Sequence, residues 1–513
     1  MEAHDVASRG VSEADVSTVY RTLVASARRH SSSVALVFEG TEFTYSELLE
    51  RVDRATRRLR KAGIGYGDTF AIYGQNCPEI MIGYYAASKI GAVLVPINPN
   101  MTASEVSHSV RHCDAKLLLH DDLVCDAACE AMPLSARASI KLLSEPCDDP
   151  ELGEEARIVP GDDFLIIYTS GSTGTPKAIV LDHRAQVGVL RSLIEMWGIS
   201  DRDTTVVGLP LGYLYGLSTA SAGGLMAGGK VVVMRRFHPG EALEAFASYR
   251  ATVYHGVPTM YSMMLDYAEQ RNLGIDLSYL RALICAGAPL PEELKKRFAQ
   301  RFGKDIQNYY SLSECTPVFG FYASDQRPRP PGAAGRLAPG SAARIVDSRG
   351  NDCPDGVSGE LLVKGAATMK RYHKEPEITK ACFSDGWFKS GDLACRNSEG
   401  FYFITGRLKD IIIRGGANIA PSEVEAVIAR HPAVQDVAVV GVPDRIFGEI
   451  PVAYVVRRTG ANVTVEEIIA HTERVLADFK VPRQMAFVDE LPLGKTGKVD
   501  MAALKARWPE LSP

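Results

Sequence analysis

YTSGSTGTPKAIV, residues Tyr168 to Val180, sets seven consecutive Gly, Ser or Thr residues, Thr169 to Thr175, between the apolar run Phe164 to Ile167 and the pair Pro176 and Lys177. The run reads as a strand emptying into a phosphate loop. Glycines let the backbone fold back with several N–H groups pointing inward, hydroxyls add donors without bulk, and a lysine supplies the counter-charge for a polyphosphate. The spacing is neither G-x-x-x-x-G-K-[ST], because Lys177 follows Gly174 by three and precedes Ala178, nor G-x-G-x-x-G. A flexible Gly/Ser turn has the same composition, so the choice rests on what accompanies the loop.

Before the loop, TYSELLERVDRATRRLRKAG predicts an amphipathic helix opened by Thr44 with Glu47 completing a capping box, and DTFAIYG follows as a strand. CPEIMIGYYAASKIG and ASEVSHSVRHC read as helices, and AVLVPIN and AKLLLHD as strands. Repeated strand-helix units predict parallel, doubly wound sheet. After the loop the rhythm resumes with TTVVGLP, KVVVMRR, ATVYHGV, RALICAG and DIQNYYS as strands, so one large α/β domain extends to about residue 330. Beyond the Pro/Gly-rich RPRPPGAAGRLAPG, the segments SAARIVD, GELLVKG and GFYFITG predict a small β-subdomain over about 330–405. From residue 409 to 513 a β-α-β-β-α-β order predicts a compact α+β domain.

With 513 residues, 46% hydrophobic and 23% charged, the chain is an ordinary globular protein. A net charge of -5 gives no electrostatic reason to expect nucleic acid or an anionic membrane as partner. No run approaches the roughly 18 apolar residues of a membrane span. The polar, acidic MEAHDVASRGVSEADV is not a secretory signal and the final LSP is not a peroxisomal tripeptide, so a cytoplasmic location is expected. The ten cysteines, at 77, 113, 125, 129, 147, 285, 315, 353, 382 and 395, contain no C-x-x-C pair and predict reduced, mostly buried thiols.

YTSGSTGTPK at 168–177, NYYSLSE at 308–314, SGD at 390–392, GRLKD at 406–410, RGGANIAPSEVE at 414–425 and LPLGKTGKVD at 491–500 occur in the order found in the adenylate-forming enzymes. The resemblance to this superfamily of acyl-CoA synthetases, peptide-synthetase adenylation domains and luciferases covers the chain from about residue 20 onward. It implies an N-terminal adenylation domain, 1–408, and a mobile C-terminal lid, 409–513. It also implies ATP, Mg²⁺ and a carboxylic acid as reactants, with coenzyme A as acceptor of the acyl group. A monomer or homodimer is expected. Alternative acceptors are a carrier-protein thiol, an amine, or a small nucleophile such as nitrite. A non-catalytic nucleotide-binding protein of the same fold is a further alternative.

The same resemblance assigns roles. Thr169, Ser170, Gly171, Ser172, Thr173, Gly174 and Lys177 look like the cradle for the β- and γ-phosphates, and Glu314 like the Mg²⁺-binding acid, a hard oxygen ligand. Tyr310 resembles the aromatic that stacks on adenine, flanked by Ser313, with Gly287, Ala288 and Pro289 as the backbone strip against the same base. Asp392 resembles the carboxylate that accepts the ribose hydroxyls, with Arg407 near it. Lys498, rather than Lys495, resembles the lysine that meets the α-phosphate and the substrate carboxylate. Lys409 falls at the hinge position, and Gly415 and Gly416 resemble the border of the thiol tunnel.

Two departures stand out. LPLGYLYGL has Gly212 and Tyr213 where Phe-His is common, leaving unusual room or a bend at 212 and no imidazole at 213. YSLSE has Ser311 where glycine is common, narrowing the space beside the acyl pocket. By resemblance that pocket draws on Tyr213, Tyr215, His255, Gly256, Cys285, Gly287, Tyr310, Ser311, Cys315 and Thr316. The set is compact, rather polar and without a fixed cation, which predicts a small or aromatic acid. His255 reads either as a partner for a substrate substituent or as a packed histidine satisfied by backbone.

Overall fold

The computed structural model describes residues 17–124, 126, 130–147, 149, 154–169, 177–365, 367–458, 460–494 and 499–511. Two compact units result: residues up to 342 with Val363–Phe388, and Ala343–Leu362 with Lys389 onward. The first unit contains two seven-stranded sheets.

In one sheet the strands Ile306–Asn308, Ala282–Cys285, Val253–Gly256, Thr204–Val207, Lys230–Val233 and Val34–Phe38 run parallel, and Thr41–Thr44 closes the edge antiparallel. Sequences such as VVV and ALIC form near-continuous apolar runs because both faces of the sheet are covered. Alternation divides them: Leu283 and Cys285 pack with Tyr254, Tyr261 and Phe298 on one face, and Ala282 and Ile284 with Trp197 and Tyr309 on the other. DIQNYYS is not one strand. It leaves the parallel sheet at Tyr309, whose N–H still donates to Cys285 O at 2.9 Å, and Tyr310–Leu312 then pairs antiparallel with Cys315–Gly320.

The second sheet carries the phosphate-loop motif. Its parallel core is Val93–Ile97, Thr69–Tyr73, Leu117–His120 and Arg137–Ser139, extended by Asp163–Thr169. The predicted helix after Thr44 forms as Tyr45–Lys61 with its capping box intact, which satisfies amide groups at the helix start that would otherwise lack partners. Lys177–Asp182 pairs antiparallel with Asp163–Thr169, so the Gly/Ser/Thr run joins two strands of a hairpin, with Thr169 opposite Lys177. A two-residue strand, Arg371–Tyr372, then adds to the outer edge of Lys177–Asp182. Lys370 Nζ and Arg371 Nη1 reach Asp163 Oδ1 at 2.8 and 3.1 Å, tying this late segment to the start of the hairpin.

In the second unit, Gly448–Arg457 lies antiparallel to Val434–Asp444 and parallel to Gln484–Val488. The helices Pro421–Ile428 and Val465–Glu473 cover one face through Val439, Ala453 and Val455. The opposite face, with Val440, Val452 and Tyr454, is closed by Leu504 and Trp508 of Met501–Leu511, a helix beyond the expected β-α-β-β-α-β order. Among the described residues no helix is long and apolar enough to cross a membrane. The described cysteines form no disulfide with one another: Cys77, Cys113, Cys147, Cys285 and Cys315 are buried, and Cys353, Cys382 and Cys395 partly so, while Cys125 and Cys129 lie outside the described residues.

Burial pushes the Asp163 carboxyl up, but hydrogen bonds from Arg371 and Lys370 outweigh it and hold the group below the ordinary carboxylate range. A depressed folded value means that the stabilisation is complete above the unfolded value and fades as pH drops through the folded one. Asp163→Asn is therefore expected to destabilise the first unit by about 1–2 kcal/mol at pH 7, with a gap to the parent that narrows below about pH 4. Urea unfolding at the two pH values measures both, and coincident curves at pH 7 would contradict the clamp.

Candidate active site

The hairpin delivers Lys177 as the first residue of its returning strand. The Lys177 ammonium sits 5.0 Å from the centre of the Tyr372 ring, within cation–π range. The Tyr372 hydroxyl donates to Glu314 Oε1 at 2.8 Å, and the Glu314 carbonyl accepts from Met369 N at 2.7 Å. Glu314 belongs to the tight turn between Tyr310–Leu312 and Cys315–Gly320, where Leu312 faces Cys315. The register of Tyr372 against Ile179 places that residue beside the hairpin, so Lys177, Tyr372 and Glu314 form one cluster. Burial first, then the Glu314 charge, drives the Tyr372 hydroxyl far above its ordinary value and keeps it a donor. Ser170, Gly171, Ser172, Thr173 and Gly174 lie outside the described residues. Thr169 is described, and its hydroxyl faces Lys177 O at 3.5 Å.

Gly287, Ala288 and Pro289 follow directly from the carboxyl end of Ala282–Cys285, the edge where open α/β sheets bind ligands. Gly287 is exposed with φ +87°, a conformation costly for any residue with a Cβ. Tyr310 stacks one ring face on Phe319, its cross-strand partner, with centroids 5.6 Å apart. Ser311 and Ser313 are half-buried beside it. Thr316 is buried with its hydroxyl 2.9 Å from the Tyr309 hydroxyl.

His255 is fully enclosed, at 0% exposure, and neither ring nitrogen has a hydrogen-bond partner. The backbone-satisfied alternative is therefore not what the fold contains. Trp197 and Tyr215 meet the imidazole edge-on at 5.0 and 5.7 Å, and burial pushes its pKa down to about 3. The Tyr215 hydroxyl leans toward Gly256 O and Ile284 O at 3.4 and 3.3 Å. Cys285 does not join this group. Strand alternation turns it to the opposite face, into the Tyr254 and Tyr261 cluster. The Cys315 thiol is buried, 3.5 Å from the Thr368 hydroxyl, and burial pushes it up to about 11, unsuited to a nucleophile.

The expected room at Gly212 is absent. A Cβ there would fall 2.6 Å from Asn98 N and Cα and 2.7 Å from Ile97 C, so the glycine lets two backbones touch. Tyr213 is half-buried just before a π-helix, Tyr215–Ala222, a geometry frequent at functional sites.

In the second unit Asp392 lies within the strand Trp387–Arg396, 2% exposed, opposite Arg407 in register, with Arg407 Nε 2.6 Å from its Oδ1. Gly391, at φ +69°, and the Ser390 hydroxyl, which accepts from Asp392 N at 3.0 Å, shape that approach. Lys409 is exposed in the 3-10 turn Leu408–Asp410. Gly415 and Gly416, both at positive φ, make a two-residue hairpin turn between Ile412–Arg414 and Ala417–Ile419. Lys495 and Lys498 lie outside the described residues.

Sequence reading missed Tyr372 and Trp197. Tyr372 sits in a strand of two residues with no periodicity, and only long-range pairing reveals it. The donor set suits a hard cation: Mg²⁺ takes one or two carboxylates and completes its shell with phosphate and water. Glu314 would provide such a ligand. Among the described residues no group of three His, Cys, Asp or Glu forms a complete cage.

Comparison with known proteins follows the same lines. The family model described as AMP-binding enzyme matches residues 23–373, and that of the AMP-binding enzyme C-terminal domain matches 423–498. The chain is 34% identical to a feruloyl-CoA synthase of Amycolatopsis sp over 486 residues, 94% of this chain and 97% of that protein. It resembles the structure of ATP-bound MatB from Rhodopseudomonas palustris with a TM-score of 0.88 and 29% identity, covering 96% and 99% of the two chains. The amide bond synthetase McbA from Marinactinospora thermotolerans superposes with a TM-score of 0.86 and 27% identity, covering 94% and 99%.

Two stability outcomes test the geometry. An imidazole that protonates only when unfolded removes about 1.4 kcal/mol per pH unit below about 6.5. His255→Leu is expected to flatten the loss of stability between pH 6.5 and 5 by about one proton's slope, and an unchanged slope in urea titrations would refute the closed, neutral state. Gly212→Ala is expected to cost about 1–3 kcal/mol by overpacking; a variant as stable as the parent in the same assay would show that the Asn98 contact yields.

Proposed function

The chain belongs to the AMP-binding enzyme family and is a ligase of the acyl-CoA synthetase type, and on that premise we propose how its residues divide the work. A small or aromatic carboxylic acid is activated by ATP. A carboxylate oxygen bonds to the α-phosphorus as the bond to the β-phosphate breaks, leaving acyl-adenylate and pyrophosphate. The thiol sulfur of coenzyme A then bonds to the acyl carbon, AMP departs with the former C–O electron pair, and the thiol proton passes to solvent.

The observation that carries the assignment is the cluster in which the Tyr372 ring meets the Lys177 ammonium and its hydroxyl bonds the Glu314 carboxylate. Thr169 to Lys177 would cradle the β- and γ-phosphates and Glu314 would hold Mg²⁺, which supplies charge neutralisation for the phosphates. Tyr310, with Gly287 to Pro289, would take the adenine, and Asp392, ion-paired to Arg407, the ribose hydroxyls. Lys498 would stabilise the negative charge that builds up at the α-phosphate, and Lys409 would serve as the hinge between domains divided at 408. An aromatic acid fits the ring-lined, uncharged surroundings of Tyr215 and His255, and the relative named feruloyl-CoA synthase supports that class. The enclosed His255, held neutral by burial, keeps that wall uncharged. Amide formation is the second reading, favoured by the likeness to an amide bond synthetase and by Tyr213 in place of the family's histidine.

Acid-dependent ATP–pyrophosphate exchange over a panel of aryl and short aliphatic acids tests this reading, each acid repeated with coenzyme A and with amines. An aryl acid is expected to give exchange and a thioester, and Lys498→Ala to lose exchange by about 100-fold or more. Exchange with amide but no thioester would replace the acceptor, and full exchange in Lys498→Ala would overturn the lysine's role.

A further inference from the structure

Tyr372 performs two tasks with one side chain. Its hydroxyl is bonded to the Glu314 carboxylate at 2.8 Å, while its ring carries the Lys177 ammonium 5.0 Å from its centre. The residue is 3% exposed and is held in place by backbone pairing to Ile179 and by the hydrogen bond from its own N–H to the Thr379 hydroxyl at 2.9 Å. A buried tyrosine needs some acceptor for its hydroxyl, and any carbonyl would do. Here the acceptor is the carboxylate assigned to Mg²⁺, and the ring faces the cation assigned to phosphate.

Lys177 and Glu314 carry opposite charges in one partly buried cluster, yet no ion pair joins them among the described residues. Left alone, such groups attract by several kcal/mol at about 4 Å in a protein-like dielectric. A direct Lys177–Glu314 pair would leave neither free to meet its ligand. We propose that Tyr372 is a positioning residue that keeps these charges apart, holding the carboxylate oriented through its hydroxyl and the ammonium on its ring face, so that Glu314 stays open to a divalent cation and Lys177 to a polyphosphate. The hydroxyl occupies one of the roughly four lone-pair positions of the carboxylate and leaves the others for metal and water. This rests on the reading of Glu314 as the metal acid.

The test separates the two tasks in the full chain. Tyr372→Phe keeps the spacer and deletes the donor; Tyr372→Ala deletes both. Mn²⁺ binding in the presence of ATP is read by the electron paramagnetic resonance of free Mn²⁺, and metal-free ATP binding by calorimetry. Tyr372→Phe is expected to weaken Mn²⁺ about 10-fold, as loss of a partner to a metal ligand does, and to leave metal-free ATP binding unchanged. Tyr372→Ala is expected to weaken metal-free ATP binding as well, by about 5-fold, as Lys177 collapses onto Glu314. Adding Glu314→Gln to Tyr372→Ala is then expected to restore it, because the carboxylate no longer captures the lysine. A role confined to packing predicts no such rescue.

Parental Mn²⁺ affinity in Tyr372→Phe, or failure of Glu314→Gln to restore ATP binding, would overturn the proposal. Parental Mn²⁺ affinity in Glu314→Gln alone would instead remove the metal assignment on which it rests.

Discussion

Two residues of edge strand hold the candidate centre of the first unit together. Arg371 and Tyr372 add to Lys177–Asp182 by backbone pairing, and Asp163, at the foot of the hairpin, binds the side chains of Lys370 and Arg371. This closure joins a segment late in the chain to the strand that begins at Lys177. A long loop costs only slightly more entropy to close than a short one, so a few hydrogen bonds and one half-buried acid suffice. Once it is closed, Met369 N meets Glu314 O and the Tyr372 hydroxyl meets the Glu314 carboxylate, which fixes the turn 313–314.

Much of this was legible in advance wherever the signal is local. Thr44 and Glu47 announced a capped helix because both halves of the capping box lie within one turn. Strand-helix repetition announced the parallel sheets, since each apolar run must be covered on both faces. Family resemblance named Glu314, Asp392 and Lys177 as residues of one site. It could not say that Cys285 turns away from His255, because the direction of a strand residue is set by register in a sheet that only the fold assembles. DIQNYYS looked like a single strand since nothing in its composition marks the point at which Tyr309 leaves one sheet for another. Tyr372 had no local signature at all.

The aromatic group around His255 runs against ordinary packing economy. An imidazole buried without a partner costs about 1–3 kcal/mol, and a π-helix gives up regular hydrogen-bond geometry along Tyr215–Ala222. Both lie in the same neighbourhood, with Trp197 and Tyr309 completing the wall. Unfavourable choices concentrated in one place, inside a core otherwise built from apolar runs, are characteristic of a surface shaped for something other than stability.

The contact at Gly212 has a consequence for how this chain can change. Its backbone, in a turn, lies against that of Ile97 and Asn98 at the end of the strand Val93–Ile97, with no side chain between them. A side chain with a Cβ cannot be accommodated at position 212 unless the facing main chain yields. The end of Val93–Ile97 would first have to withdraw, and that strand is hydrogen-bonded on both sides within its sheet. The glycine thus ties the chain at 212 to the end of Val93–Ile97 through main chain alone, so that a new side chain here amounts to a new backbone path there.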